Sequence, residues 1–263
     1  MPKAFITLTT DFGTTDHFAG AMKGVIASIA PGAESVDISH QLTRFDITEA
    51  AFFIGEIWRN WPPKTIHVVV VDPGVGSSRR PILIEADRQY FIGPDNGVFS
   101  FVLKQAKKWS ARELTNNKYF NKAVSRTFHG RDIFAPVAAH IASGVKPTLL
   151  GKKIADPLCL ALPVPDRTSR RGFTGTILKV DHFGNCITNF LSADFPAIQT
   201  SPFEAVVGLE TVRRLALHYS ECEPGEFFLI EGSSGYLEIS LSQDSAAKRL
   251  GCSSGAPVEL TFF

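Results

Sequence analysis

The sequence has no closely spaced cysteines, no long apolar run and almost no net charge, and each absence removes a class of function. Its four cysteines, Cys159, Cys186, Cys222 and Cys252, are far apart with no C-x-x-C pair. That spacing argues against a thiolate zinc site, and reduced thiols in a cytoplasm are the expectation. No uninterrupted apolar run reaches the roughly 18–20 residues that a membrane span needs. The opening segment MPKAFITLTTDFG lacks the basic stretch, apolar run and small-residue cleavage site of a secretory signal, so a cytoplasmic location is expected. Lysine and arginine number 27 against 26 acids, for a net charge of +1. So balanced a chain gives no electrostatic case for nucleic acid or an anionic membrane as partner. Tyrosine and tryptophan are scarce, at 4 and 3, whereas phenylalanine reaches 21; most of those rings are expected in the core, with a few left to stack on a ligand. What remains is a chain of 263 residues, 44% hydrophobic, enough for one large domain or two modest ones.

The first half alternates short apolar runs with helical patterns. AFITLTT (4–10), SVDIS (35–39), TIHVVVVD (65–72), PILIEA (81–86) and QYFIGP (89–94) read as strands, with a turn at Asp87-Arg88. The β-branched run before Asp72 is what a strand buried on both faces requires. Helices are expected over 17–29, over 46–58 with Asp46 or Thr48 as cap, over 97–107, and over 132–142 with Pro136 in the first turn or at a kink. Such alternation predicts a layered α/β domain over 1–160. Residues 156–172, rich in proline and turn formers, read as a linker. From Gly172 onward the pattern is β: FTGTILKVD, NCITNF, EAVVGLE, RRLALHY, EFFLIEG, YLEISLS and APVELTFF, with one short helical turn at SAAKRLG. The expected fold class is therefore α/β, with a smaller C-terminal β-barrel domain over 170–263.

Polar residues gather where the α/β strands end. Asp11 follows the first strand, Asp72 ends the most apolar one, and Asp95-Asn96 follow another; in open α/β sheets that edge is where ligands bind. In VVVVDPGVGSSRRP (68–81), Pro73, Gly74 and Gly76 allow a sharp turn, so Arg79 can return to pair with Asp72. No G-K-[ST] follows, so this is not a phosphate loop of the Walker type. FHGRDIF (128–134) sets His129 before a helix. In VDHFGNCITN (180–189), Asp181 can bind an ammonium, Phe183 can stack on a flat ring and Asn185 can pair with a base edge. Ser233, Ser234 and the helix start near Ser245 offer hydroxyls and amides. Each of these residues also has a plain structural reading as a turn former, cap or core side chain.

Taken together, TTDFGTTDHFAGAMKG, VVVVDPGVGSSRRP, GPDNGVFS, FHGRDIF, VDHFGNCITN and SSGYLEI followed by DSAA resemble the S-adenosyl-L-methionine (SAM) hydroxide adenosyltransferases, or SAM hydrolases, kin to fluorinase and chlorinase. The motifs keep the family's order over about residues 5 to 251. The resemblance implies hydrolysis of SAM to adenosine and methionine, with SAM as substrate and no cofactor or metal, in a homotrimer whose sites lie between subunits. It assigns water activation to Asp72, Arg79 and His129, ribose hydroxyls to Asp11, the methionine ammonium to Asp181, adenine to Phe183 and Asn185, and the methionine carboxylate to the Ser233–Ser234 region. Phe45 stands where the halogenases carry a tryptophan against the ribose, and Val75 lies in the loop lining the nucleophile site. In the halogenases the positions of Asp72 and His129 hold other residues, so their presence favours water over halide. Two other readings stay open: a SAM or nucleoside sensor without turnover, and a metal-dependent phosphohydrolase using Asp11, Asp16, His17, Asp72, Asp95, His129 and Asp132.

Overall fold

A computed structural model of the chain describes residues 3–263. They form two compact units, one running to Leu162 and the other comprising Pro163–Phe263. In the first, the elements are β1 (Phe5–Thr10), α1 (Phe18–Ile29), β2 (Glu34–Ser39), α2 (Ile47–Ile57), β3 (Ile66–Val70), β4 (Pro81–Ala86), β5 (Gln89–Pro94), α3 (Ser100–Gln105), β6 (Trp109–Leu114), α4 (Ala135–Ala142) and β7 (Gly151–Ile154). The sheet order is β2-β1-β3-β5-β4-β6-β7. The β2, β1, β3 and β5 strands run parallel, and β4, β6 and β7 add antiparallel pairings.

Side-chain alternation on β3 explains the layering. Val68 and Val70 pack on one face with Met22 and Ile26 of α1 and Val137 of α4, while Val69 and Val71 pack on the other with Ile54 of α2 and Val102 of α3. The sheet is thus covered on both faces, which is why the IHVVV run carries no exposed side chain. His67 is its one polar member. Thr7 and Gln89 bond its two ring nitrogens at 2.7 and 2.6 Å, and burial lowers its pKa to about 4, so it is a neutral core histidine. Asp46 caps α2 by accepting from the Glu49 N–H at 2.8 Å. Asp87 and Arg88, at φ 42° and 71°, make the two-residue turn between β4 and β5.

Two local expectations for this unit differ from the structure. The helix anticipated over 97–107 is only Ser100–Gln105, because Gly97 sits at φ 96° and the Asn96 side chain holds Val98 N–H in a turn. The helix anticipated from Asp132 begins earlier, as a π-helical turn over Gly130–Phe134 that runs into α4, with Pro136 in α4's first turn. Strands β6 and β7, WSAREL and GKKI, join the sheet beyond β4 without a matching expectation from the sequence. β7 is the edge strand, and its two exposed lysines protect that open edge.

The second unit contains β8 (Asp166–Arg167), β9 (Gly172–Val180), β10 (Cys186–Leu191), β11 (Phe203–Val207), β12 (Glu210–Val212), β13 (Leu215–Ala216), β14 (Phe227–Glu231), β15 (Tyr236–Leu241), α5 (Ala246–Leu250) and β16 (Pro257–Phe262). Eight strands follow the order β12-β11-β16-β9-β10-β15-β14-β13, and β8 pairs with β9. Because β12 leads directly into β13, the chain itself links the two ends of a curled, half-barrel sheet. Phenylalanines fill its core: Phe195 packs edge-on against Phe173 and Phe190 at 4.9 and 5.2 Å between ring centroids. EAVVGLE is a hairpin rather than one strand, turning at Gly208, and RRLALHY contributes only Leu215–Ala216 to the sheet. All four cysteines are free. Among the described residues no helix is long and apolar enough to cross a membrane.

Candidate functional site

In the first unit, β1 and β3 are parallel neighbours with Thr10 opposite Val70. Their carboxyl ends therefore deliver Asp11 and Asp72 to the same edge of the sheet. A cavity of about 240 Å³ opens there, lined by Asp11, Phe45, Asp72, Val75, Phe128 and His129 among others. The Asp11 carboxylate accepts from the Phe45 N–H at 2.9 Å. That bond holds Phe45 in the left-handed region at φ 66°, with its ring 68% exposed. Behind Asp11, the Gly13 N–H donates to the His40 carbonyl at 2.7 Å, and Thr10 Oγ1 meets His40 Nδ1 at 2.8 Å. The strand-end loop is thereby fixed from its own backbone.

The loop after β3 makes two successive turns, Val75 N–H to Asp72 carbonyl at 3.2 Å and Ser77 N–H to Gly74 carbonyl at 3.1 Å. Gly76 makes the reversal at φ 77°, pressed so close to the Arg126 carbonyl that a Cβ would fall 2.1 Å from its oxygen. The result is the return of Arg79 to Asp72. Arg79 Nε donates to both carboxylate oxygens at 3.0 Å, and Nη2 donates to Oδ2. The same Nη2 lies 2.7 Å from His129 Nδ1. Both members of the ion pair are almost wholly buried, and Arg79 Nη1 is a buried donor without a partner among the described residues.

A guanidinium donates and never accepts. His129 Nδ1 must therefore be the acceptor, which leaves the proton of the neutral ring on Nε2. Burial and then the Arg79 charge lower the His129 pKa, against smaller opposing effects of Asp72 and Asp132. Near neutral pH the imidazole is uncharged, a hydrogen-bond donor at Nε2 and occupied at Nδ1. Both oxygens of the Asp72 carboxylate also accept from Arg79.

In the second unit, Asp181 closes a tight turn after β9. Its two carboxylate oxygens accept from Asn185 N–H and Asn185 Nδ2 at 2.8 and 2.9 Å. Gly184, at φ 89°, packs against Ser245, and its carbonyl accepts from Ala247 N–H at 2.9 Å, tying the turn to α5. Phe183 projects from the tip, 77% exposed. Asp181, Phe183, Asn185, Ser233, Glu238 and Lys248 are among the residues lining a cavity of about 850 Å³. Ser234 is in the adjoining turn, closed by Gly235 N–H to the Gly232 carbonyl at 2.9 Å, and is not part of the lining.

Other candidate acids have structural partners. Asp95 accepts from Arg80 Nε and from Leu158 N–H, both at 2.7 Å. Asp132 is held by Arg131, Asn121 and the Ser125 N–H. Asn96 Nδ2 donates to the Val71 carbonyl at 2.9 Å and so steadies the strand end just before Asp72. His17 packs tilted against Phe18 at 4.7 Å between ring centroids and is not among the residues lining the first cavity. Sequence reasoning missed Arg44 and Thr127 in the first cavity and Tyr219, Glu238 and Lys248 in the second. The one visible signal was Glu238, a lone acid inside the apolar run YLEISL.

Comparison with known proteins matches residues 6–151 to the SAM hydroxide adenosyltransferase N-terminal domain and residues 175–259 to the C-terminal domain of the same family. A protein of Salinispora tropica named (R)-S-adenosyl-L-methionine hydrolase is 34% identical, covering 99% of this chain and 98% of its own length. A protein of an Actinoplanes species named fluorinase is 28% identical over 81% of this chain and 78% of its own. The crystal structure of an uncharacterised conserved protein from Thermotoga maritima superposes with a TM-score of 0.90 at 33% identity, covering 97% of this chain and 99% of that one. With both domain profiles matched in order around the Asp72–Arg79–His129 cluster and the Asp181–Asn185 turn, the chain belongs to the SAM hydroxide adenosyltransferase family.

Proposed function

We propose that the chain hydrolyses S-adenosyl-L-methionine to adenosine and L-methionine. Water attacks the ribose 5′ carbon, the carbon–sulfur bond breaks, methionine leaves as a neutral thioether and one proton is released. A sulfonium leaving group needs no general acid, so the demand falls on water, a poor nucleophile that must lose a proton. The observation that carries this reading is the single guanidinium joining Asp72 to His129 in the wall of the first cavity. In this scheme Asp72 receives the proton. His129 donates from Nε2 to the water oxygen and steadies the developing hydroxide, and Arg79 fixes both partners and supplies positive charge. Asp11 and Phe45 take the ribose, Asp181 the ammonium, Phe183 and Asn185 the adenine, and the Ser233–Ser234 turn the carboxylate. The scheme uses no cofactor, and the working assembly is a homotrimer with sites shared between subunits.

The test is incubation of pure protein with the separate (R) and (S) sulfonium epimers of SAM, since the Salinispora relative is named for the (R) form. Equimolar adenosine and methionine from the (R) epimer is expected by chromatography. Binding without product would make the protein a sensor, and a halogenated nucleoside in the presence of halide would make it a halogenase.

A further inference from the structure

The loop after β3 carries Asp72 at its start and Arg79 near its end, and it does not join neighbouring strands. In the sheet order β5 lies between β3 and β4. Strands β3 and β5 run parallel, and β4 runs antiparallel to β5 with Pro81 opposite Pro94. The carboxyl end of β5 therefore emerges between the two feet of the loop, one where it leaves β3 and one where it enters β4. The residues that emerge there are Asp95 and Asn96.

Each of them takes one foot. Asn96 Nδ2 donates to the Val71 carbonyl at 2.9 Å. That carbonyl belongs to the planar peptide unit joining Val71 to Asp72, so the bond fixes the plane from which the Asp72 side chain departs. Asp95 holds the other foot. Its N–H donates to the Arg80 carbonyl at 2.8 Å, and its Oδ2 accepts from Arg80 Nε at 2.7 Å. Two successive arginines thus diverge, Arg79 to Asp72 and Arg80 to Asp95. Arg80 is tethered further by Asp156, whose Oδ1 and carbonyl accept from Nη1 and Nη2 at 3.0 and 2.7 Å.

The clamp is itself held from behind. Asp95 Oδ1 accepts from Leu158 N–H at 2.7 Å, and Leu160 N–H donates to Ser100 Oγ at 2.8 Å. Gly97, at φ 96°, lies so close to Leu160 that an added Cβ would fall 2.5 Å from its Cγ. Neither Asp95 nor Asn96 is among the residues lining the first cavity, so any effect of theirs on chemistry passes through the loop. We propose that Asp95 and Asn96 are positioning residues for the reaction: they clamp both feet of the loop and so set the distance and orientation at which Arg79 meets Asp72. The inference rests on the reading that this pair activates water for attack on SAM. Misplacing such a group by an ångström costs about a hundredfold in rate.

Asn96→Asp separates this role from that of a turn former. The aspartate keeps the oxygen that accepts from Val98 N–H at 3.2 Å, and with it the turn, but above the carboxylate range it has no proton to donate to the Val71 carbonyl. Asn96→Ala lacks both bonds. Single-turnover rates with excess enzyme, SAM dissociation constants and urea midpoints are measured for these two variants, for Arg80→Gln, and for each Asn96 variant combined with Asp72→Asn. Both Asn96 variants should slow turnover by about ten- to a hundredfold with SAM affinity little changed, and Arg80→Gln should slow it in the same way. Without the Asp72 carboxylate there is no acceptor left to position, so the Asn96 substitutions should lose their effect in the Asp72→Asn background. A wild-type rate for Asn96→Asp makes Asn96 a turn former only and overturns the proposal. So does a full further loss in the Asp72→Asn background, or a loss of affinity that matches the loss of rate. If Asn96→Ala fails to fold, Asn96→Asp carries the same comparisons. These results leave SAM hydrolysis by the wild type intact, whereas a wild type that does not consume SAM overturns the parent reading and this one with it.

Discussion

Arg79 has five N–H donors and no acceptor, and its partners exploit that asymmetry differently. Asp72 gains a fixed orientation and a neutralising charge, while His129 has its tautomer decided. A lysine could supply the charge but not the fork. Arg79→Lys should therefore lower turnover nearly as far as Arg79→Ala, and Asp72→Asn should remove the proton acceptor outright. For Asp72→Asn a loss of about 100- to 10,000-fold in single-turnover rate is expected, with the SAM dissociation constant little changed. Near-normal turnover in these variants would sink the water-activating role, and a matching loss of affinity would make them binding residues. The pH profile tests the tautomer. Because the His129 pKa is lowered by burial and by Arg79, the ring stays neutral through pH 7 and protonates only below the ordinary histidine range. Protonation removes the Nδ1 acceptor and sets a second cation against Arg79, so kcat/KM should fall on the acid side and nowhere near neutrality. His129→Gln, which can accept and donate but does not titrate, should retain part of the activity and move the acid limb to where only carboxylates titrate. An acid limb unmoved by that substitution would count against the assignment.

At the scale of the element, the residues 72–80 turn a strand end into a site. Its geometry depends on Gly76, at φ 77° with the Arg126 carbonyl in the space of its missing Cβ. Gly76→Ala should cost about 1–3 kcal/mol of stability from backbone strain and displacement. It should also slow single turnover at least about tenfold, because Arg79 no longer returns in register. Gly74→Ala is the comparison, since its added Cβ meets nothing nearer than 3.4 Å and stability should stay near wild type. Urea midpoints and single-turnover rates of the pair check this; equal stability of the two would contradict it. The loop shows what a sequence does and does not reveal. The β-branched run of β3, the Asp46 cap and the Asp87-Arg88 turn are local codes, and each was legible. The return of Arg79 to Asp72 was readable as a seven-residue span with two glycines. Strand β7 was not readable, because an edge strand carries the charges that mimic a loop. The π-helical start at Gly130 was hidden as well, since a single-turn change of helix type leaves no periodic trace. Asp95 looked as eligible as Asp72 until Arg80 and Leu158, distant in sequence, took up its oxygens.

On the scale of the whole molecule, the chemistry is divided. The proposed water-activating group and the ribose acid belong to the first unit, and the proposed ammonium and adenine partners belong to the second. Each cavity also presents a large ring to solvent, Phe45 in one and Phe183 in the other, as surfaces do where a ligand or another chain will cover them. Together with the family resemblance, this leads to the proposal that a first unit of one chain works with a second unit of a neighbour in a closed trimer. Complementation distinguishes that arrangement from a site built within one chain. Asp72→Asn and Asp181→Ala chains should each be weak alone, for different reasons: the first binds without chemistry, and the second has chemistry without its ammonium contact. If sites are shared between chains, unfolding and refolding an equal mixture should give trimers in which about a quarter of the interfaces unite an intact Asp72 with an intact Asp181. Activity at low SAM concentration should then rise well above the mean of the two separate variants, and light scattering should give three times the chain mass. If every site is confined to one chain, no mixture can restore an intact pair, and the activity of the refolded mixture will equal the mean of its components.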